Sequence, residues 1–131
     1  MTVGRLDVIG IVNKKSLAWT AVSLYAVLIF IGSSVPGDRL GLDPPGLDKL
    51  LHVIEYMILS CLLFPALRLT LSTKRETVFW AVAVGGSLYG LTDEVHQIFV
   101  PLRQFDILDI TCDISGSFLG SYVLFRARNN A

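Results

Sequence analysis

The sequence predicts an all-α membrane protein, a four-transmembrane-helix bundle with short loops. Hydrophobic residues make up 53% of the 131 residues and charged residues only 17%, whereas a soluble domain carries about 25% charged residues. The charged residues fall mostly between apolar stretches as long as the roughly 20 residues that a helix needs to cross a bilayer. The length allows one domain at most, so we expect residues 1–131 to form a single transmembrane domain.

Four stretches have the length and composition of membrane spans. They cover residues of about 16–35, 48–69, 77–100 and 106–125. The first is charge-free over 20 residues, which is long for the core of a signal peptide, and no A-x-A cleavage site follows it. A loop rich in Gly, Pro and Asp separates it from the second span. The second span carries Pro65 near its end, the third ends before Pro101, and the fourth is followed by a basic tail.

The distribution of charge predicts the orientation. Eight of the eleven basic residues lie at the N terminus, in the loop between the second and third spans or at the C terminus. Nine of the eleven acidic residues lie on, or nearest to, the opposite side. Because basic loops stay in the cytoplasm, we expect an N-in/C-in protein. The net charge is zero, which gives no electrostatic case for a nucleic-acid partner. Cys61 and Cys112 lie within apolar stretches and are expected to be free thiols.

Polar residues within the spans are candidates for function, since an ionisable group in a span costs roughly 2.5–3.5 kcal/mol on insertion scales. In the predicted topology the second, third and fourth spans all place theirs toward the outer face. Together with one arginine in the last loop they form the candidate site, which we call the polar cluster. Its nine members are His52, Glu55, Tyr56, Asp93, Glu94, Gln97, Arg103, Asp109 and Asp113.

Helical spacing refines this prediction. His52 lies three and four residues before Glu55 and Tyr56, so the three share a helix face, and His52 and Glu55 could share a proton. Tyr89, Asp93 and Gln97 form a second stripe, with His96 one step off it.

Two further patterns concern helix ends and helix packing. Asp48 and Asp106 are expected at helix N-termini, where capping and the helix dipole favour a carboxylate. Gly116 and Gly120 form a small-xxx-small pattern that lets another helix approach closely. That helix could belong to this chain or to a second copy in a homodimer.

Several segments resemble the VanZ-like family. They are DKLLHVIEY at 48–56, YGLTDEVHQIFVPLR at 89–103, DILD at 106–109 and GSFLG at 116–120, with SSVP at 33–36. The Asp-Glu-x-x-Gln-x-Phe-x-Pro-x-Arg run within the second segment is the specific part. Two positions depart from the family: Leu102 stands where it often has Gly, and Asp113 where it commonly has Asn. The resemblance implies a multi-pass protein of the bacterial cytoplasmic membrane, and the name-giving member is associated with resistance to the glycopeptide teicoplanin.

Several functions stay open for the polar cluster. One is binding or carrying an envelope lipid, peptide or glycopeptide-type ligand at the outer face. Another is an enzyme acting on a lipid or lipid-linked phosphate. Glu55 or Asp93 would be its acid or base, His52 its base or nucleophile, and Arg103 would hold the phosphate.

A third is a divalent-metal site, which could also assist the enzyme, with candidate ligands His52, Glu55, Asp93, Glu94 and His96. Membrane lipids are the expected partners. A proton-coupled transporter would need a dimer, for which Gly116 and Gly120 offer a face.

Overall fold

The computed structural model describes residues 3–37 and 46–127, and the side chains within them from residue 10 onward. This part of the chain forms four helices, which confirms the predicted helix count. They are α1 (Val3–Ser33), α2 (Leu47–Thr70), α3 (Arg75–Gln97) and α4 (Ile107–Ala127). Arg39, which the orientation argument assigns to the outer side, lies outside the described residues.

Three of the helices are long and apolar enough to cross a membrane. They are α1 over Gly10–Ser33, α2 over Leu47–Thr70 and α4 over Ile107–Ala127. The third helix does not meet that composition, because it carries Arg75 and Glu76 in its first turn and Asp93 and Glu94 near its end. The helix α1 begins at Val3, well before the predicted start of the span near residue 16, and the basic residues Lys14 and Lys15 lie within it.

The helices alternate in direction. Ser33 at the end of α1 donates a hydrogen bond to Asp93 near the end of α3. His52 near the start of α2 pairs with Asp113 in the first half of α4. We call this end of the bundle, where α1 and α3 finish and α2 and α4 begin, the polar end. One loop lies at the opposite end, between Thr70 of α2 and Arg75 of α3, and it is short, as predicted.

The N-termini of α2 and α4, which both lie at the polar end, are capped differently. Asp106 caps α4, since its Oδ1 accepts a hydrogen bond from the Leu108 amide at 2.8 Å, as the sequence predicts. Asp48 also lies at a helix N-terminus, as predicted, but the prediction that it caps the helix is wrong. The residue before α2 is Gly46, in a left-handed conformation with φ 89°, and no side chain caps this helix. Asp48 lies in the first turn of α2 and contacts Lys49 instead.

Small residues bring α4 against α2, which is the most extensive helix pair of the described chain. A Cβ atom added to Gly116 would lie 2.3 Å from the Val53 carbonyl oxygen, and one added to Gly120 would lie 2.3 Å from that of Met57. The small-xxx-small pattern therefore serves packing within the chain. A homodimer could use this face of α4 only by displacing α2.

The interior is unusually polar and the exterior unusually apolar. Buried side chains include Asp93, Glu94 and Asp113, while Leu17 is 71% exposed and Leu88 57%. Large apolar side chains are exposed along all four helices, far beyond the patch that a soluble monomer tolerates. Lipid tails would cover such a surface, and they would leave the polar groups with partners only inside the bundle.

We predict that Gly120→Ala destabilises the protein by about 1–3 kcal/mol, because the added methyl group overlaps the α2 backbone. The measurement is the thermal unfolding of purified protein in detergent. Gly10→Ala is the matched control, since nothing lies within 4 Å of a Cβ atom at that helical glycine. Equal melting temperatures for the two variants would contradict the proposed close contact.

Candidate functional site

The structure brings the predicted polar cluster together at the polar end. Seven of its members are buried, each less than a tenth exposed: His52, Tyr56, Asp93, Glu94, Gln97, Asp109 and Asp113. Glu55 and Arg103 are half-buried. The residues come from α2, α3, α4 and the loop before α4, so contacts among them join separate parts of the chain, as between His52 on α2 and Asp113 on α4.

His52 pairs with α4 rather than with its neighbour on α2. Its Nδ1 lies 2.8 Å from Asp113 Oδ1, and its Nε2 lies 3.8 Å from Asp109 Oδ2. The predicted His52–Glu55 pair is therefore replaced by a pair between two helices. Gly90 makes room for it, because a Cβ atom there would lie 2.7 Å from the Asp113 carboxylate.

Lys49 forms ion pairs with three carboxylates at the edge of the polar cluster. Its ammonium lies 3.1 Å from Asp48, 2.5 Å from Asp106 and 2.6 Å from Asp109. Asp106 precedes the α4 span, and its hydrogen bond from Lys49 lowers the pKa of its carboxyl below the usual value. The sequence prediction did not include Lys49, although its place one residue after Asp48, three before His52, was a usable signal.

Asp93 links α3 to α1. Its Oδ2 accepts hydrogen bonds from the Ser33 hydroxyl at 2.5 Å and from the Gln97 amide at 3.3 Å. The Asp93–Gln97 contact follows the predicted stripe. Tyr89, the third member of that stripe, donates instead to the Ala26 carbonyl of α1 at 2.7 Å, so its hydroxyl fastens α1 to α3.

Glu94 is completely buried and only partly satisfied. Its Oε2 accepts a hydrogen bond from the Asp106 amide at 2.9 Å. Its Oε1 has no hydrogen-bond partner among the described residues, and the same holds for the buried hydroxyl of Tyr56. Buried polar atoms without partners are uncommon in native proteins and call for an explanation such as a bound water or ion.

Arg103 lies in the loop between α3 and α4, with its Nε 3.3 Å from the Val35 carbonyl oxygen. The preceding residue, Leu102, has φ 59°. That left-handed conformation costs a residue with a side chain roughly 1–2 kcal/mol, which explains why glycine suits this position. The loop also meets the end of α1 through a hydrogen bond from the Gly37 amide to the Pro101 carbonyl at 3.2 Å.

Two clefts open beside the cluster. The first has a volume of about 110 Å³ and is lined by Gly32, Ser33, Asp48, Leu51, His52, Glu55, Gln97 and Arg103. The second is wider, about 440 Å³, and includes Lys49, Asp106 and Asp109 together with the loop residues 102–105. Drug-sized ligands occupy roughly 300–1,000 Å³, so the first cleft accommodates a single chemical group rather than a whole ligand.

The structure brings two of the predicted metal ligands, His52 and Glu94, together with Asp109, and it places His96 elsewhere. Ligand atoms of His52, Glu94 and Asp109 lie within 4.8 Å of one another. His96 is elsewhere, with its Nε2 3.0 Å from the Ser34 hydroxyl and its ring 4.4 Å from that of Phe30. One step of helix rotates His96 toward α1 and away from the cluster. Asp109, absent from the predicted ligand set, takes part because α4 brings it opposite His52.

An apolar outer surface around a buried, acidic and histidine-containing cluster is typical of a small helical membrane protein with polar groups inside its bundle. The family model described as VanZ/LLP1 matches residues 10–128. The chain therefore belongs to the VanZ-like family, as the motifs at 48–56 and 89–103 indicate. No curated protein and no solved structure matches it.

We predict that Lys49→Met destabilises the protein by about 1–3 kcal/mol, because the Asp106 and Asp109 carboxylates lose their shared ammonium partner. Thermal unfolding in detergent measures the effect. Lys74→Met serves as the control, since Lys74 is exposed at the opposite end of the bundle. If Lys49→Met unfolds no earlier than Lys74→Met, the ammonium contributes nothing to the stability of the cluster.

Proposed function

We propose that this VanZ-like protein crosses the bacterial cytoplasmic membrane four times, N-in/C-in, with the polar end at the outer face. The excess of basic residues at the opposite end supports this orientation. For α3, the length supports a span: its 23 residues reach about 34 Å at ~1.5 Å per residue, against a hydrocarbon core of about 30 Å. Its carboxylates at Asp93 and Glu94 are buried in the bundle, so they need not face lipid.

Cysteine labelling tests this topology. In a chain with Cys61→Ala and Cys112→Ala, we expect Gln104→Cys at the polar end to react with a membrane-impermeant maleimide on intact spheroplasts. Lys74→Cys should react only after the membrane is permeabilised. Both positions are exposed, so access to the thiol depends on the side of the membrane. The reverse pattern would invert the orientation, and labelling of both positions from outside would contradict four spans.

We further propose that the polar end binds the polar group of an envelope lipid, peptide or glycopeptide-type ligand. The single observation that carries this proposal is the 110 Å³ cleft, which places Arg103 and Glu55 beside buried His52. A cleft of this size takes one headgroup or chain terminus and leaves the rest of the ligand outside. A lipid meets that condition directly, because its tails would lie against the apolar surface of the bundle.

The lining favours a group that carries both charges. The guanidinium of Arg103 suits a phosphate or carboxylate, and it has five N–H donors, of which one contacts Val35. The carboxylates of Glu55 and Asp48, which line the same cleft, suit an ammonium group. A phosphoethanolamine headgroup carries both charges, and a peptide terminus carries one of the two. A role in glycopeptide resistance or envelope homeostasis would follow if the bound group belongs to a cell-wall or membrane intermediate.

We expect Arg103→Ala and Glu55→Gln each to weaken the binding of phosphatidylethanolamine about tenfold or more. The physical reason is the loss of one charge-assisted hydrogen bond, about 1.5–3 kcal/mol. Titration of the purified protein followed by native mass spectrometry measures the affinity. Arg126→Ala, at the opposite end of the bundle, is the control. The same variants should reduce glycopeptide or envelope-stress tolerance at matched expression. Unchanged binding by both cluster variants would remove the cleft as the binding site.

An enzyme acting on a lipid or lipid-linked phosphate is the second candidate function. The observation in its favour is the contact between His52 Nδ1 and the buried Asp113 carboxylate, which fixes the imidazole as a base would require. Mass analysis of lipids incubated with the protein separates the two functions. A binder returns the lipid unchanged, whereas an enzyme converts it and loses that conversion on His52→Ala.

A further inference from the structure

Three elements of the bundle each contribute one potential metal ligand at the polar end. A ring nitrogen of His52 from α2, a carboxylate oxygen of Glu94 from α3 and one of Asp109 from α4 lie within 4.8 Å of one another. All three residues are buried. Metal bonds of roughly 2.0–2.2 Å place tetrahedral ligand atoms roughly 3.4 Å apart. The His52 Nε2–Asp109 Oδ2 distance of 3.8 Å is already close to that spacing.

The hydrogen bonds around these residues leave the required lone pairs free. With His52 Nδ1–H donated to Asp113 Oδ1 at 2.8 Å, the Nε2 atom presents its lone pair toward Asp109. A carboxylate holding the other nitrogen of a ligating histidine is the common outer-shell arrangement of metal sites. In Asp109, Oδ1 contacts Lys49 at 2.6 Å and Oδ2 faces His52, so the ammonium and a metal ion would use different oxygens.

Glu94 provides an independent indication of a ligand. Its side chain is fully buried, and its Oε1 has no hydrogen-bond partner among the described residues. The other oxygen, Oε2, is already held by the Asp106 amide. A buried carboxylate with a free oxygen is costly unless a proton or a cation satisfies it, and this carboxylate belongs to the three-residue group.

The charges at the polar end also call for a cation. The described residues there carry seven carboxylates: Asp48, Glu55, Asp93, Glu94, Asp106, Asp109 and Asp113. Against these stand Lys49 and Arg103, and His52 when it is protonated. A divalent ion beside a neutral His52 would offset two of the carboxylates, those of the buried residues Glu94 and Asp109.

We propose that His52, Glu94 and Asp109 bind one divalent transition-metal ion, with Asp113 orienting His52. One imidazole nitrogen with two carboxylate oxygens suits Zn²⁺ or Mn²⁺ better than the all-oxygen preference of Ca²⁺ and Mg²⁺. His52 lines the first cleft and Asp109 the second, so an ion can enter from the polar end. His52 belongs both to this group and to the lining of the proposed ligand cleft, so the two sites adjoin, but the three metal ligands come together without a bound lipid.

The test uses the full chain, purified in detergent with any histidine tag removed and then stripped with a chelator. Titration with ZnCl₂ and with MnCl₂, followed by metal analysis after gel filtration, should give one ion per chain for at least one of the two metals. His52→Ala and Glu94→Gln should each weaken that binding at least tenfold. His96→Ala is the matched control because His96, the only other histidine of the chain, contacts α1, and it should bind as the wild type does.

Two results would overturn the proposal: less than stoichiometric binding of both metals by the folded wild-type protein, or equal losses in His52→Ala and His96→Ala. An X-ray absorption spectrum of the zinc-loaded wild type covers the case in which the cluster variants do not fold. It should show nitrogen and oxygen ligands only. A sulfur ligand would place the ion at Cys61 or Cys112 and would contradict the site. If the folded wild-type protein binds neither metal but still binds phosphatidylethanolamine, the metal site fails while the proposed ligand site stands.

Discussion

The close approach of α4 to α2 is the contact on which the rest of the structure depends. Gly116 and Gly120 let the two backbones meet, with room for no side chain at either position. Asp113 lies one turn before Gly116 on the same face of α4, so the same contact brings its carboxylate against His52. One further turn back, Asp109 reaches both His52 and Lys49. The contact between α2 and α4 that the small residues allow is therefore also the contact that assembles the polar cluster.

The other constraint is the surroundings of the bundle. Exposed leucines and isoleucines cover its outside, and hydrocarbon offers no hydrogen bonds to a side chain. Each polar group must therefore find its partner within the bundle, which accounts for the links from Ser33 to Asp93 and from Tyr89 to the α1 backbone. These links hold α1, whose packing on α3 is otherwise slight. Polar contacts thus supply much of the specificity that an apolar core supplies in a soluble protein.

The sequence predicts the four helices because apolar stretches of spanning length are a strong signal. It also predicts which residues gather, since alternating spans bring the polar ends of three of them to one depth. It does not predict the partner of His52. Spacing along α2 identifies only its neighbours on the same face, namely Glu55 and Tyr56, whereas the observed partner depends on the rotation and register of α4. The same limit applies to Gly116 and Gly120, whose spacing predicts that another helix packs closely but does not identify that helix.

Local geometry escapes prediction for a related reason. His96 differs from Gln97 by a single position, yet that step turns it toward Phe30 and Ser34 and leaves Gln97 on Asp93. Asp48 and Asp106 have the same residue type at the start of a helix, yet only Asp106 caps one. A preceding glycine with positive φ makes the turn into α2, so Asp48 enters the helix and its carboxylate is released to Lys49.

The charge of the polar cluster decides which ligands the adjoining cleft can accept. Seven carboxylates against two permanent cations oppose the binding of a phosphate, and a low-dielectric interior strengthens that repulsion. The balance between repulsion and attraction of a phosphate changes if protons or a divalent ion neutralise Glu94 and Asp109. Lys49 is already paired with carboxylates, and Arg103 would then face less negative charge and could attract an anion. Neutralisation deep in the cluster would thus favour the binding of an anionic group at its mouth. The buried Glu94 oxygen on α3 and the half-buried Arg103 guanidinium in the loop before α4 are therefore parts of one electrostatic arrangement.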